Sequence, residues 1–378
     1  MLLLIALLLL FSTLHAQDAA LHTQQQTVMF YNLENAFWPE DDPMKQDDDF
    51  TPSGSRRWSK SRLNQKLTQV EKVLLGAGKG LAPMVVGLAE VEGDSVINYW
   101  LQKTSLRQLR YKAVLSDSAD SRGILTALLY QPSEYRLIGH TSYSIPLPDP
   151  SRTTRQLLHV AGRLVNGDTL DLIVCHLPSQ YSGAKQSQAS RDAAHRTLMH
   201  LADSIVQLRH QPYVIIMGDM NEAPSKRHDW WNQHSTHQWS NLMLPLQQQL
   251  LRRPGQHGTH KYQGEWTYLD QFIVSSTLQT PLNPASELCS RAPKEATPQT
   301  PQTPQTPQTT QTPEPPLKPH PALPRLRLLH PRSFSMPFML TADETHLGQR
   351  PKRSYYGSQY EGGVSDHLPI VIDLEVDF

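Results

Sequence analysis

A mixed α/β protein, with strands and covering helices in layers, is what this sequence predicts. Short apolar runs rich in β-branched residues recur from Thr27 onward. Several are apolar throughout, as strands buried on both faces must be. Helical periodicity appears in two segments between them, which is the layered pattern of strands and covering helices.

The strands expected in order are TVMFYNL, PMVVGLAEV, GILTALLY, QLLHVAGRLV, LDLIVCHL, YVIIMGD, YLDQFIVS and HLPIVIDLEV. The first helix carries Leu63, Leu67, Val70 and Leu74 on one face and is ended by Gly76, Gly78 and Gly80. The second runs from about Ser187 to Arg209, with Ala194, Leu198, Leu201, Ile205 and Leu208 along one side.

At 378 residues the chain can hold one large domain or two ordinary ones. Lys plus Arg and Asp plus Glu both number 35, so no global basic field announces a nucleic-acid binder and none excludes one. Two cysteines, Cys175 and Cys289, exclude a disulfide framework or a Cys-rich zinc site as the organising feature and leave one optional bridge. Cys175 precedes a candidate functional histidine and is expected to be buried and reduced.

The apolar run Leu2 to Phe11, followed by Leu14-His15-Ala16, reads as a signal peptide over residues 1–16. It is too short to span a bilayer, which takes roughly 20 apolar residues. The expected location is therefore the periplasm or outside the cell, with no transmembrane segment in the mature chain. The functional domain is expected over 25–378, interrupted at about 281–324 by a Pro/Thr/Gln-rich insertion. There Thr-Pro-Gln repeats from Thr297 to Gln308, a composition that cannot pack a core.

Polar residues interrupt the apolar runs at their ends. Val214 to Asn221 is an apolar strand closing on Gly218-Asp219-Met220-Asn221, and period-2 spacing sets Asp219 and Asn221 on one side. Ser365-Asp366-His367-Leu368-Pro369 leads into the last strand, and a neutral imidazole there suits proton abstraction from water. Asn32, Glu90 or Glu92, His176 and Asp270 mark four more strand ends. Singly, each has a plain structural reading as a turn residue, helix-start acid, core histidine or edge charge. Jointly they need partners, and a common site supplies them.

The ordered series FYNLEN, VVGLAEVE, RGILTALLY, IVCHLPS, IIMGDMNEAPS, TYLDQFIVS and GGVSDHLPIV resembles the endonuclease/exonuclease/phosphatase superfamily, in an exported bacterial branch. That resemblance implies a deoxyribonuclease-like four-layer α/β sandwich: two packed mixed β-sheets flanked by helices. It implies a phosphoric ester hydrolase, with phosphodiester cleavage by an activated water and Mg²⁺ or Mn²⁺ as cofactor. Glu90 would be the principal metal ligand, supported by Asn32 and completed by Asp366. Asp219 would orient the water, Asn221 would hold a phosphoryl oxygen, His367 and Asp270 would form a dyad, and His176 would serve a nonbridging oxygen or the leaving group. After Arg-Gly-Ile, where many relatives carry an acid, this chain has Leu125 and Thr126.

Arg122, Arg155 and Tyr356 are candidate substrate-binding residues. Nucleic acid is one candidate substrate, favoured by Arg56, Arg57, Lys60 and Arg62 and by Arg350, Lys352 and Arg353 beside Tyr355, Tyr356 and Tyr360. Phospholipid headgroups, inositol phosphates and small phosphomonoesters are the alternative substrates, and a noncatalytic binding protein on this fold is the remote one. The chain is expected to act as a monomer.

Overall fold

A computed structural model describes residues 23–278 and 325–378, apart from 118–119, 181–182, 184, 186, 225–227 and 254. The expected leader, the Pro-rich insertion at about 281–324 and Cys289 lie outside the described residues.

The chain opens with β1 (Thr23–Ala36), α1 (Lys60–Ala77), β2 (Val85–Val91), α2 (Gly93–Lys103), β3 (Lys112–Leu115) and β4 (Leu125–Tyr130). It continues through β5 (Tyr135–Tyr143), β6 (Leu157–Leu164), β7 (Thr169–His176), α3 (Gln188–Gln207) and β8 (Tyr213–Asp219). Next come α4 (His228–His234), β9 (Trp239–Asn241), α5 (Leu244–Arg252), the short β10 (His260–Tyr262) and β11 (Glu265–Thr267), and β12 (Asp270–Ser275). After residue 324 follow β13 (Leu326–Ser333), β14 (Leu340–Ala342), β15 (Gln349–Pro351), β16 (Tyr355–Tyr356), β17 (Gln359–Tyr360) and β18 (Ile370–Asp377).

Two six-stranded mixed sheets carry the fold, in the orders β13-β18-β1-β2-β4-β3 and β5-β6-β7-β8-β12-β9. Strands from both sides of residues 279–324 thus join one sheet. Period-2 alternation gives each central strand two apolar faces. Val28 and Phe30 of β1, Leu170, Leu172 and Val174 of β7, and Ile215 and Met217 of β8 fill the core between the sheets. Met29, Tyr31 and Leu33 of β1 turn outward onto Leu63, Leu67, Val70 and Leu74 of α1. Ile173, Val214 and Ile216 turn outward onto Leu198, Ala202 and Ile205 of α3. Three apolar interfaces make four layers, and no helix among the described residues is long and apolar enough to cross a membrane.

Local signals agree with the expected ends. The Ser59 hydroxyl caps α1 by accepting from Arg62 N at 3.3 Å, and α1 ends at Ala77 with Gly78 as its cap. Helices α2, α4 and α5, strands β3, β5, β9 and β13, and the short strands β10, β11 and β14 to β17 were outside the sequence expectations. β5 is an edge strand whose residues are mostly exposed, so it shows no two-faced apolar run.

The sheets approach closely at Gly87, where a Cβ would lie 2.6 Å from Met217 Sδ. Gly87→Val is expected to cost about 1–3 kcal/mol by overpacking; urea unfolding with an unchanged midpoint would refute this contact. Asp171, buried in β7, accepts from Arg209 Nε at 2.7 Å and Nη2 at 2.8 Å and pairs with His159 Nε2 at 2.8 Å. Burial pushes its carboxyl up, but Arg209 and then His159 outweigh it and hold it below the ordinary value. A depressed folded pKa stabilises above the unfolded value, about 3.9, and that stabilisation is lost as pH falls through the folded one. Asp171→Asn should therefore lower the melting temperature at pH 7 and differ progressively less from wild type below about pH 4.

Candidate active site

The strand register assembles the site. In the second sheet His176 pairs with Asp219 and Asp219 with Asp270, so three polar ends stand in a row across β7, β8 and β12. In the first sheet Asn32 of β1 pairs with Ala89, next to Glu90 of β2. Asn32 joins the sheets: its Nδ2 donates to Asp219 Oδ2 at 3.1 Å and approaches Glu90 Oε1 at 3.4 Å. Its Oδ1 accepts from Glu34 N at 3.0 Å, so in this structure the amide braces the carboxylates. Asn35 N donates to Glu90 Oε2 at 2.9 Å.

His367 Nδ1 lies 2.7 Å from Asp270 Oδ2, and its Nε2 is 3.7 Å from Asp219 Oδ2. His176 Nε2 lies 3.6 Å from that same Asp219 oxygen and 3.8 Å from Glu90 Oε1. Asp219 thus stands between two imidazoles. Burial pushes the Asp219 carboxyl up to about 6, with His367 opposing and Asp270 adding. For His367 burial works against the charge, but Asp270 and Asp219 outweigh it and hold the imidazole well above its ordinary value. Burial, then Arg155 and Arg122, push His176 well below, so its imidazole is neutral. One imidazole is built to carry charge and the other to stay neutral, which is the division acid–base chemistry needs.

Asn221 N donates to Asp219 Oδ1 at 2.8 Å, and its side-chain Nδ2 donates to Leu177 O at 3.0 Å. Glu34, Asn35, Glu90 and Asn221 all hold positive φ, between 49° and 60°. Such strain costs of order 1–3 kcal/mol per residue and persists where surrounding structure enforces it, commonly at functional sites.

Asp366 is brought to His367 and His260, with ligand atoms of the three all within 4.8 Å of one another. Its Oδ2 is 3.4 Å from Arg353 Nη2, and Asn32 gives its amide to Glu90 and Asp219 instead. Glu92 takes the plain role: its carboxylate accepts from Trp38 N at 2.8 Å and Lys45 Nζ at 3.1 Å. Arg155 differs from its expected place at the substrate. It is buried, donating to Leu177 O at 2.7 Å and pairing with Asp120 at 3.2 Å, because its charge is needed to satisfy a buried acid and a strand-end carbonyl. Arg122 is part-exposed and also pairs with Asp120. At the Leu125-Thr126 departure, Thr126 N donates to Ser116 Oγ at 3.2 Å and both residues are buried.

The two basic clusters meet in space. Arg56 donates to Gly357 O, and Arg62 Nη1 is 3.2 Å from Tyr355 Oη. Much of their charge is spent on the protein: Arg62 on Arg56 O and Arg57 O, Arg350 on Glu361, Arg353 on Asp366. Tyr356 is exposed, with the Arg350 guanidinium 4.3 Å from its ring centre.

Motif reading missed the residues beneath the site. Lys66 of α1 is buried and donates at 2.6 Å to both Ser354 Oγ and Val364 O, while Glu34 accepts from Ser354 N at 2.7 Å. Ser365 Oγ donates to Asn32 O at 2.7 Å. A Lys on the apolar face of α1 was the one available signal.

The sequence profile of the Endonuclease/Exonuclease/phosphatase family matches residues 27–291. The chain belongs to this family. Its members are generally hydrolases acting on phosphoesters, and a nuclease- or phosphatase-like hydrolase is the activity that membership supports. TDP2 of D. rerio complexed with single strand DNA product is similar at 14% identity, covering 93% of this chain and 99% of that one with a TM-score of 0.51. A family protein from Bacteroides thetaiotaomicron is similar at 12% identity, covering 95% and 98%, with a TM-score of 0.50. These likenesses show the fold, the four-layer sandwich expected. No curated protein matches the chain.

Asp270→Asn should leave folding intact and lower kcat for phosphoester hydrolysis by roughly a hundredfold or more, since the charge orienting the imidazole is gone. Unchanged kcat would exclude the His367–Asp270 pair from the reaction.

Proposed function

We propose that this chain hydrolyses a phosphodiester by in-line attack of water, with Mg²⁺ or Mn²⁺ as its cofactor. The observation that carries the reading is Asp219 held between two imidazoles, one paired to Asp270, and tied by Asn32 to Glu90. The donor set fits a hard cation. Glu90 and Asp219 offer carboxylate oxygens bridged by one amide, and Glu90 Oε1 has only contacts of 3.4 and 3.8 Å to share. Glu90 would hold the ion, with Asn32 supporting and Asp366 on the neighbouring loop; when bound, it would polarise the phosphoryl oxygens and offset their charge.

Asp219 orients the attacking water beneath phosphorus. Asp219 accepts the water's proton as the new phosphorus–oxygen bond forms, and the charged His367, held by Asp270, gives its proton to the departing oxygen as the old bond breaks. His176, neutral and facing the carboxylates through Nε2, donates to a nonbridging oxygen, and Asn221 holds another with its remaining amide hydrogen. Catalysis is then chiefly positioning and electrostatic stabilisation.

Nucleic acid is the substrate class we favour. The exposed Tyr356 face beside Arg350 supports it, as does the single-strand DNA product bound by the similar TDP2. The apolar leader supports an exported enzyme, and the joining of β13 to β18 and of β18 to β1 supports one domain interrupted at about 281–324.

Wild-type protein should hydrolyse bis-p-nitrophenyl phosphate with Mg²⁺ or Mn²⁺ and lose that activity in EDTA. Asp219→Ala and His367→Ala should each reduce kcat by about 10²–10⁴. Activity that survives both substitutions would remove this site from the reaction.

A further inference from the structure

We propose a second cation site: His260, Asp366 and His367 form a two-imidazole, one-carboxylate site that takes Zn²⁺ through His367 Nε2, and its occupation withdraws His367 from Asp219 while Asp270 keeps Nδ1, and stops hydrolysis. The inhibitory half rests on the function proposed above, whereas the binding half does not.

The backbone sets the two histidines side by side. His260 and His367 form an antiparallel bridge, and Leu368 N donates to Thr259 O at 2.7 Å. The buried Thr259 hydroxyl accepts from Leu269 N at 3.0 Å and Asp270 N at 3.2 Å, so β10 is fastened to both members of the dyad. The two rings lie 4.8 Å apart between centres. Thr259 explains where His260 stands, but nothing explains its imidazole: the ring carries no hydrogen bond among the described residues.

Ligand atoms of His260, Asp366 and His367 lie within 4.8 Å of one another. Zinc–nitrogen bonds of about 2.0–2.1 Å in a tetrahedral site set donors roughly 3.4 Å apart, so the three must draw together by up to about 1.4 Å. Asp366, with its side chain 25% exposed, and the unbonded His260 ring are free to do so. Arg353 faces one Asp366 oxygen at 3.4 Å and leaves the other for the ion. That guanidinium also moderates affinity, which suits a reversible inhibitor better than a permanent structural ion.

Donor chemistry separates this site from the one around Glu90. Imidazole nitrogens suit Zn²⁺, while Mg²⁺ prefers an all-oxygen shell. Asp366 is common to both sites, so the two ions compete for it: Mg²⁺ is held mainly by Glu90 and leaves His260 alone. Zn²⁺ recruits His260, and His367 cannot ligate it and serve Asp219 and the departing oxygen at once.

Untagged full-length protein in excess Mg²⁺ should bind one equivalent of Co²⁺, a spectroscopic substitute for Zn²⁺, with visible absorption typical of nitrogen ligation and displaced by Zn²⁺. His260→Ala and the milder His260→Gln should weaken that binding at least about tenfold and raise the Zn²⁺ concentration needed for half-inhibition equally. Glu90→Ala should lose Mg²⁺-supported hydrolysis and keep the Co²⁺ spectrum. Co²⁺ binding that both His260 variants retain at full strength, or that Glu90→Ala abolishes, overturns the proposal. An inactive wild-type protein that still shows the His260-dependent spectrum would instead count against the proposed function while upholding this site.

Discussion

Glu90, Asp219 and Asp270 stand close together at one end of an apolar sandwich, and like charges placed so must be offset by bonded partners or they will not all ionise. The Asn32 amide and the His367 imidazole provide the offset, one from each side of Asp219. Because Asn32 comes from the first sheet and Asp219 from the second, that hydrogen bond also fixes how the two sheets meet at the functional end. Burial acts on all three titrating groups: it raises the Asp219 carboxyl and, with Arg155 and Arg122, keeps His176 neutral, while at His367 the carboxylates of Asp270 and Asp219 outweigh it and hold the charge.

The sandwich makes such a concentration possible. Its middle is held by aliphatic alternation on β1, β7, β8 and β18, which leaves strand ends free to carry groups that destabilise. Positive φ at Glu34, Asn35, Glu90 and Asn221 is part of that burden. A second polar layer supports the first: Lys66 bonds the segment before Asp366, and Ser365 bonds Asn32, so α1 and the last loop are locked to the end of β1. His260 sits at the edge of this layer, positioned by Thr259 yet with no hydrogen bond to its ring among the described residues.

Much of this was legible in one dimension. Two-faced apolar runs mark central strands because burial on both sides permits nothing else, so β1, β2, β7, β8, β12 and β18 could all be read. β5 and β3 could not, since edge strands need only one apolar face and β5 has little even of that. Glu90 and Glu92 were indistinguishable in sequence, being two apart on one strand end. The structure separates them by partners, Glu90 with Asn32 and Asn35, Glu92 with Trp38 and Lys45. Arg155 read as a candidate substrate-binding residue, yet it lies buried between Asp120 and Leu177 O, a pairing no local pattern could announce.

By itself, the sequence determined the layered α/β class, the family and the set of polar strand ends, because hydrophobic period and motif order are local properties of the chain. Only the tertiary structure decided which polar ends meet. Asn32 reaches Asp219 across 187 positions and His367 reaches Asp270 across 97, distances along the chain that only sheet packing closes. It also placed Asp366 beside His260 rather than in hydrogen-bonded contact with Asn32, and consumed the arginines of the basic clusters in contacts with the protein itself. Charge and donor type are written residue by residue, but a site is a set of distances, and those exist only once the two sheets are packed.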